Sequence, residues 1–157
     1  MPKRFEFDFQ LDSFTIEGYG NREIITFIAL SENENFSDTR SKMVLYARKV
    51  AHLDGFYEVI FRGKENIEYY RRQFIDVGDV LELNIEYHCR LIRYGRYVKC
   101  QIFSDSSKND LLFEFGDQRI FGGPYSYLKL AFFDSLVDYS GFYSVVSGHI
   151  TNIKFLN

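Results

Sequence analysis

The chain has 157 residues, a formal net charge of −3, and 18% aromatic residues, made up of 17 Phe and 12 Tyr with no Trp. That length fits one domain over residues 1–157 with a real hydrophobic core, and the aromatic content favours pleated, half-buried β surfaces. The acidic balance argues against a dedicated nucleic-acid binder, whose phosphate contacts need a basic surface.

The amino-terminal segment has basic residues but no apolar stretch of the signal-peptide kind, and no run approaches the ~20 apolar residues of a membrane span. The expectation is a cytoplasmic protein without a membrane segment. Phe5, Phe7 and Phe9 alternate with Glu6, Asp8 and Gln10, which predicts a first strand. A second apolar run, Phe14 to Ile16, ends at Glu17-Gly18-Tyr19-Gly20, which reads as a turn. Glu23 to Leu30 suits a strand covered on both faces, and the polar stretch Ser31 to Ser41 reads as a loop.

Met43 to Val50 and Ile67 to Ile75 fit a short helix or a strand about equally, so segments 38–53 and 64–75 stay open. Leu53-Asp54-Gly55 is a turn and Phe56 to Phe61 a strand. Leu81, Leu83, Ile85 and Tyr87 alternate with Glu82, Asn84, Glu86 and His88, the cleanest strand pattern in the chain. Its partner runs from Tyr97 to Phe103, after a turn at Tyr94-Gly95. That turn sets Cys89 opposite Cys100, close enough for a bridge, although two reduced thiols are the expected state without a secretion signal. Ser104 to Asp110 is a polar loop, Leu111 to Phe115 a short strand, and Gly122-Gly123-Pro124 a break. Tyr127 to Phe133 and Ser147 to Phe155 close the sequence as strands.

Strands at this spacing predict an all-β fold, an antiparallel two-sheet β-sandwich of jelly-roll type. The alternatives are a closed β-barrel or an α+β fold with one or two short helices. Met43-Val-Leu-Tyr-Ala-Arg48 with Gly55-Phe-Tyr-Glu-Val-Ile-Phe-Arg62, the hairpin at 79–87 and 97–103, and the closing segments Tyr127 to Phe133 and Ser147 to Phe155 together resemble the laminin G and concanavalin A-like lectin superfamily. The resemblance is one of strand and glycine pattern. The Trp that usually begins the central hairpin is missing, and so is the galectin sugar-binding pattern. It implies a jelly roll and glycan or protein recognition, although fold alone establishes neither use.

Glu82-Leu-Asn-Ile-Glu86 is similar to the Glu-x-Asp-x-Glu strand of laminarinase-type glycosidases, with Asn84 in place of the central Asp. As catalytic candidates, Glu82 and Glu86 would sit ~13 Å apart along a strand and would have to lean together to reach the ~5.5 Å of a retaining pair. A solvated strand face explains them as well. His88 shares their parity, and no spacing points to a transition-metal motif. Asp134 and Asp138, with Asn152 and carbonyls near Gly141, are weak candidate metal ligands for Ca²⁺, which wants several oxygens at once. Otherwise no cofactor is expected.

Arg90, Arg93, Arg96 and Lys99 gather around the hairpin tip with Tyr94 and Tyr97. Arginine with tyrosine can stack on bases or clamp an acidic glycan or phosphate, or simply protect a strand edge. Tyr125 and Tyr127, beside Gly122-Gly123-Pro124, suit stacking on a sugar ring and packing equally, and Tyr139 also flanks a loop. Candidate ligand-binding residues are therefore Arg90, Arg93, Tyr94, Tyr125, Tyr127 and Tyr139. The functional expectation is a non-enzymatic, lectin-like recognition module whose partner is a glycan or a protein surface. The alternatives are a self-assembling structural subunit, with a homo-oligomer as its product, and a glycosidase using Glu82 and Glu86.

Overall fold

Alternation in the amino-terminal segment organises the first of two sheets. The computed structural model describes residues 3–17, 24–31, 43–49, 53–67, 70–95, 97–119, 127–133 and 143–157. Within them lie ten strands: β1 (Lys3–Glu17), β2 (Ile24–Ser31), β3 (Met43–Lys49), β4 (Phe56–Ile67), β5 (Tyr70–Glu82), β6 (Tyr87–Tyr94), β7 (Tyr97–Phe103), β8 (Leu111–Arg119), β9 (Tyr127–Phe133) and β10 (Tyr143–Leu156). One five-stranded sheet has the order β10-β1-β6-β7-β8 and the other β5-β4-β3-β2-β9. Every pairing within them is antiparallel. The fold is thus the two-sheet jelly-roll sandwich, not a closed barrel. The described residues contain no helix, so none is long and apolar enough to cross a membrane.

The two segments that fitted helix or strand equally are strands wherever they are described. Leu45 and Ala47 on β3 are fully buried and pair with Phe61 and Val59 on β4, so a two-residue period carries the core contact there. Phe7, Phe9 and Leu11 on β1 bury one face of the terminal sheet completely, as do Cys89, Cys100 and Ile102 on β6 and β7. Tyr57, Val59 and Phe61 on β4 meet them from the second sheet. The Phe61 and Phe115 rings, one from each sheet, lie 5.6 Å apart. Each such aromatic contributes roughly 1.5–3 kcal/mol by leaving water.

Three expectations change in detail. The second apolar run, Phe14 to Ile16, continues β1. Asp12 is an extra residue where the register steps from Leu11↔Gly148 to Ser13↔Ser147, a β-bulge that prolongs the strand instead of ending it. Gly148 is required opposite that bulge, because a Cβ there would sit 2.2 Å from the Gln10 carbonyl oxygen.

The pattern from Leu81 to Tyr87 is two strands joined by a corner. β5 ends at Glu82 in the second sheet, and β6 begins at Tyr87 in the first. Asn84 adopts φ 63° in between. The corner is fastened by Leu83 N–H to the Gly55 carbonyl at 2.8 Å and Asn84 N–H to the Leu11 carbonyl at 2.7 Å. Both strands face the same core, so the alternation runs through the corner without a phase change.

The hairpin register is also shifted. Tyr94 pairs with Tyr97, which places Cys89 opposite Ile102 and Cys100 opposite Leu91. Gly95, at φ 58°, supplies the left-handed backbone that so tight a turn demands. The cysteines are therefore diagonal, not directly opposed. They are free thiols with sulfurs 3.6 Å apart, and burial pushes the Cys89 thiol well up.

Candidate functional site

The residues of β1 that alternate with the core face outward, and they form the polar centre of the terminal sheet. Glu6 and Asp8 are nevertheless buried, as is His88 on β6. Burial of three such groups on the outer face requires partners, and each has them.

Asp8 stands at the hub. Register puts it directly opposite His88, and His88 Nδ1 lies 2.6 Å from Asp8 Oδ1. On the other side, Asn152 Nδ2 donates to Asp8 Oδ2 at 2.6 Å. A β-bulge creates that contact. Between Glu6↔Lys154 and Asp8↔Thr151, β10 carries one residue more than β1, and Asn152 there takes φ 51°. Asparagine tolerates the left-handed region better than most residues, and the bulge aims its amide at Asp8.

Glu86 approaches from the sheet corner. Donor atoms of Asp8, Glu86 and His88 all lie within 4.8 Å of one another, a spacing that can hold a metal ion. Glu86 Oε2 is 3.9 Å from His149 Nε2 on β10, and both of these side chains are 44% exposed. The site therefore has a buried floor (Asp8, His88) and an exposed rim (Glu86, His149, Asn152). Gln10, opposite His149 in the register, donates from Nε2 to Asp12 Oδ1 at 2.6 Å along the same rim.

A second cluster adjoins the first. Arg90 Nε donates to Glu6 Oε1 at 2.7 Å, and its guanidinium carbon lies 5.0 Å from the centre of the Phe103 ring. Lys108 Nζ reaches Glu6 Oε2 at 3.4 Å. Asp105 makes that reach possible by shaping the 104–110 loop. Its Oδ1 accepts the backbone N–H of Asn109 at 3.0 Å and of Asp110 at 2.7 Å. Its side chain also accepts the Ser107 hydroxyl. Burial acts to raise the Glu6 carboxyl, but the Arg90 hydrogen bond and the charges of Lys108 and Arg90 outweigh it and hold it below its ordinary value. Farther across the sheet, Glu114 accepts from Gln101 at 2.6 Å and pairs with Lys99 at 3.0 Å.

The structure separates several candidates that the sequence groups together. Glu82 ends β5 in one sheet, whereas Glu86 lies in the corner leading to the other, so they do not share a strand face. The Glu82 backbone N–H donates to the Tyr87 hydroxyl at 3.0 Å. Arg90 and Arg93 are three residues apart on β6, and alternation sends them to opposite faces. Tyr94 stacks on Tyr97 with ring centres 5.8 Å apart. Tyr127 opens β9. Tyr125, Tyr139, Asp134 and Asp138 lie outside the described residues. Asn152, grouped with those aspartates in the sequence, holds Asp8.

Asp8 is the residue that sequence reasoning passed over. Its local signal was only an outward position in an alternating strand, and its two partners are 80 and 144 positions away.

No protein-family model matches the chain, and no curated protein matches it. Solved structures do. An alginate lyase from Klebsiella pneumoniae is similar over 99% of this chain and 59% of its own, with a TM-score of 0.67 and 12% identity. An alginate lyase from Alteromonas sp. 272 gives a TM-score of 0.56 at 13% identity over 99% of this chain and 71% of its own. A polysaccharide lyase of family 18 gives 0.52 at 15% identity over the same shares. The chain thus spans about three fifths of the Klebsiella enzyme. These likenesses agree with the jelly-roll sandwich read from the sequence. They overturn the expectation of a non-enzymatic, lectin-like module, because the three similar structures are those of lyases.

Proposed function

We propose that this chain is a polysaccharide-degrading enzyme of the lyase type, acting on a polymer that contains uronic acids. The observation that carries the reading is the alignment of 99% of the chain with alginate lyases. The polar face of the terminal sheet supports it with suitable chemistry. β-Elimination at a uronate removes the proton beside the carboxylate and expels the glycosidic oxygen, leaving a carbon–carbon double bond. It needs a group that accepts a proton, a group that donates one, and hydrogen-bond donors toward the carboxylate as negative charge builds.

The exposed His149–Glu86 pair offers an imidazole and a carboxylate at the rim, 3.9 Å apart. His149 is the proton-transfer group of this proposal, and Glu86 orients its ring. Gln10, opposite His149 in the register, offers an amide beside it.

The test is to incubate the protein with alginate, polygalacturonate and hyaluronate, and to follow the ultraviolet absorbance of the unsaturated product. The expected result is unsaturated product from at least one of these polymers, with the rate falling about 100-fold or more in His149→Ala. No unsaturated product from any of them, or full activity in His149→Ala, would overturn the assignment.

A further inference from the structure

We infer that Asp8, Glu86 and His88 form a binding site for a divalent transition metal of the zinc type, with its fourth position left to water. The inference stands on the local geometry and is independent of the polysaccharide reading. Two carboxylates and an imidazole converge with donor atoms within 4.8 Å of one another. They come from separate places in the chain: the middle of β1, the corner between the sheets, and the start of β6. Two carboxylates this close repel each other unless positive charge lies between them, and a divalent cation supplies it.

The donors differ in a useful way. Asp8 and His88 are buried, with side chains only 7% and 5% exposed. Asn152 holds the far oxygen of Asp8 at 2.6 Å, as an outer partner holds a metal-binding carboxylate. Glu86 is 44% exposed, on the open side of the site. Zinc contacts nitrogen and oxygen at about 2.0–2.2 Å in a tetrahedral set, which spreads the ligand atoms to roughly 3.4 Å, so Asp8 and His88 open from 2.6 Å while Glu86 draws in. The ion takes the place of the hydrogen shared by His88 Nδ1 and Asp8 Oδ1. Glu86 turns in as the third ligand, and water fills the fourth position.

The donor chemistry selects among ions. Ca²⁺ takes six to eight oxygens, roughly speaking, and has little use for imidazole. Mixed imidazole and carboxylate donors suit zinc and its neighbours. The ligands would clamp β1 to β6 and to the sheet corner, because Asp8 and His88 lie on adjacent strands of one sheet and Glu86 lies in the corner.

The experiment is calorimetric titration of the chelator-treated full chain with zinc chloride, in the absence of polysaccharide. A parallel titration with cobalt chloride reads the visible spectrum. The expected result is one ion per chain, a tetrahedral cobalt spectrum and a higher melting temperature with zinc. Affinity should fall at least about tenfold in both Glu86→Gln and His88→Gln. Glu86 is exposed, so its substitution leaves the fold intact and keeps the test meaningful if His88→Gln folds poorly. Absence of saturable binding, an octahedral all-oxygen cobalt spectrum, or affinity unchanged in Glu86→Gln would overturn the inference. Zinc binding by a protein inactive on every uronate polymer would sink the lyase reading alone. Activity without zinc binding would sink this one alone.

Discussion

The two faces of the terminal sheet are made by the same strands, one residue out of step, and they solve opposite problems. On the inner face Phe5, Phe7 and Phe9 pack ring against ring, with neighbouring centroids 5.4 and 5.9 Å apart, and Leu11 extends the buried row. On the outer face Glu6 and Asp8 are nearly as buried, yet they are held by charged and hydrogen-bonded partners: Arg90 and Lys108 on Glu6, His88 and Asn152 on Asp8. The inner face is held by area and fails by leaving cavities. The outer face is held by pairing and fails when one partner is removed. The site therefore sits on a rigid floor, because the residues between its members are core.

The strongest way to break this contrast is to truncate neighbours on opposite faces. Phe9 is fully buried between Phe7 and Tyr87, with ring centroids 5.9 and 6.0 Å away. Phe9→Ala should cost about 3–5 kcal/mol of stability by urea unfolding. Gln10→Ala, one residue along on the outer face, should cost within about 1 kcal/mol. Equal losses would mean that the faces are not distinct.

A smaller effect tests the pairing logic. The Glu6 carboxyl is held below its ordinary value of 4.5, with burial opposing and Arg90 and Lys108 prevailing. As pH falls, the unfolded chain takes up a proton at this position before the folded one does. The stabilisation is therefore complete above the ordinary value and is lost as pH drops through the folded value. Glu6→Gln should lower stability by about 1–3 kcal/mol at neutral pH. The gap to the unsubstituted protein should narrow in acid, below the folded value. Urea unfolding of both proteins across that range checks it, and a gap that widens in acid would contradict the sign.

What the sequence disclosed follows from the same division. Phe5, Phe7 and Phe9 announce their strand because period-2 alternation is a local signal, and the Tyr97–Phe103 strand and the 104–110 loop are local in the same sense. The corner at Leu83–Glu86 was invisible for a physical reason. Leu81 and Tyr87 both face the shared core, so the apolar phase continues although the chain changes sheets. The site was less legible still. His88 carried a hint by its parity with Glu86, but Asp8 meets it only through strand pairing across 80 residues. Asn152 needs a bulge as well as a pairing across 144 residues. The glutamates at 82 and 86 looked like a pair because a single strand was assumed beneath them.

The smallest expected effect asks whether the inner face is as strictly apolar as it looks. Tyr57 and Tyr87 are both buried core tyrosines. Tyr87 sits at the corner, where its hydroxyl accepts the Glu82 backbone N–H at 3.0 Å. The Tyr57 hydroxyl is buried with no hydrogen-bond partner among the described residues, and that burial, with Tyr87 nearby, pushes its ionisation far above the ordinary range. An unpaired buried hydroxyl is a cost that a ring of the same shape avoids. Tyr57→Phe should therefore leave stability unchanged or raise it by up to about 1 kcal/mol, whereas Tyr87→Phe should lower it by about 1 kcal/mol. Urea unfolding of the two variants side by side resolves the difference. A loss in Tyr57→Phe as large as that in Tyr87→Phe would reveal a buried partner for Tyr57, and the inner face would then hold a polar site of its own.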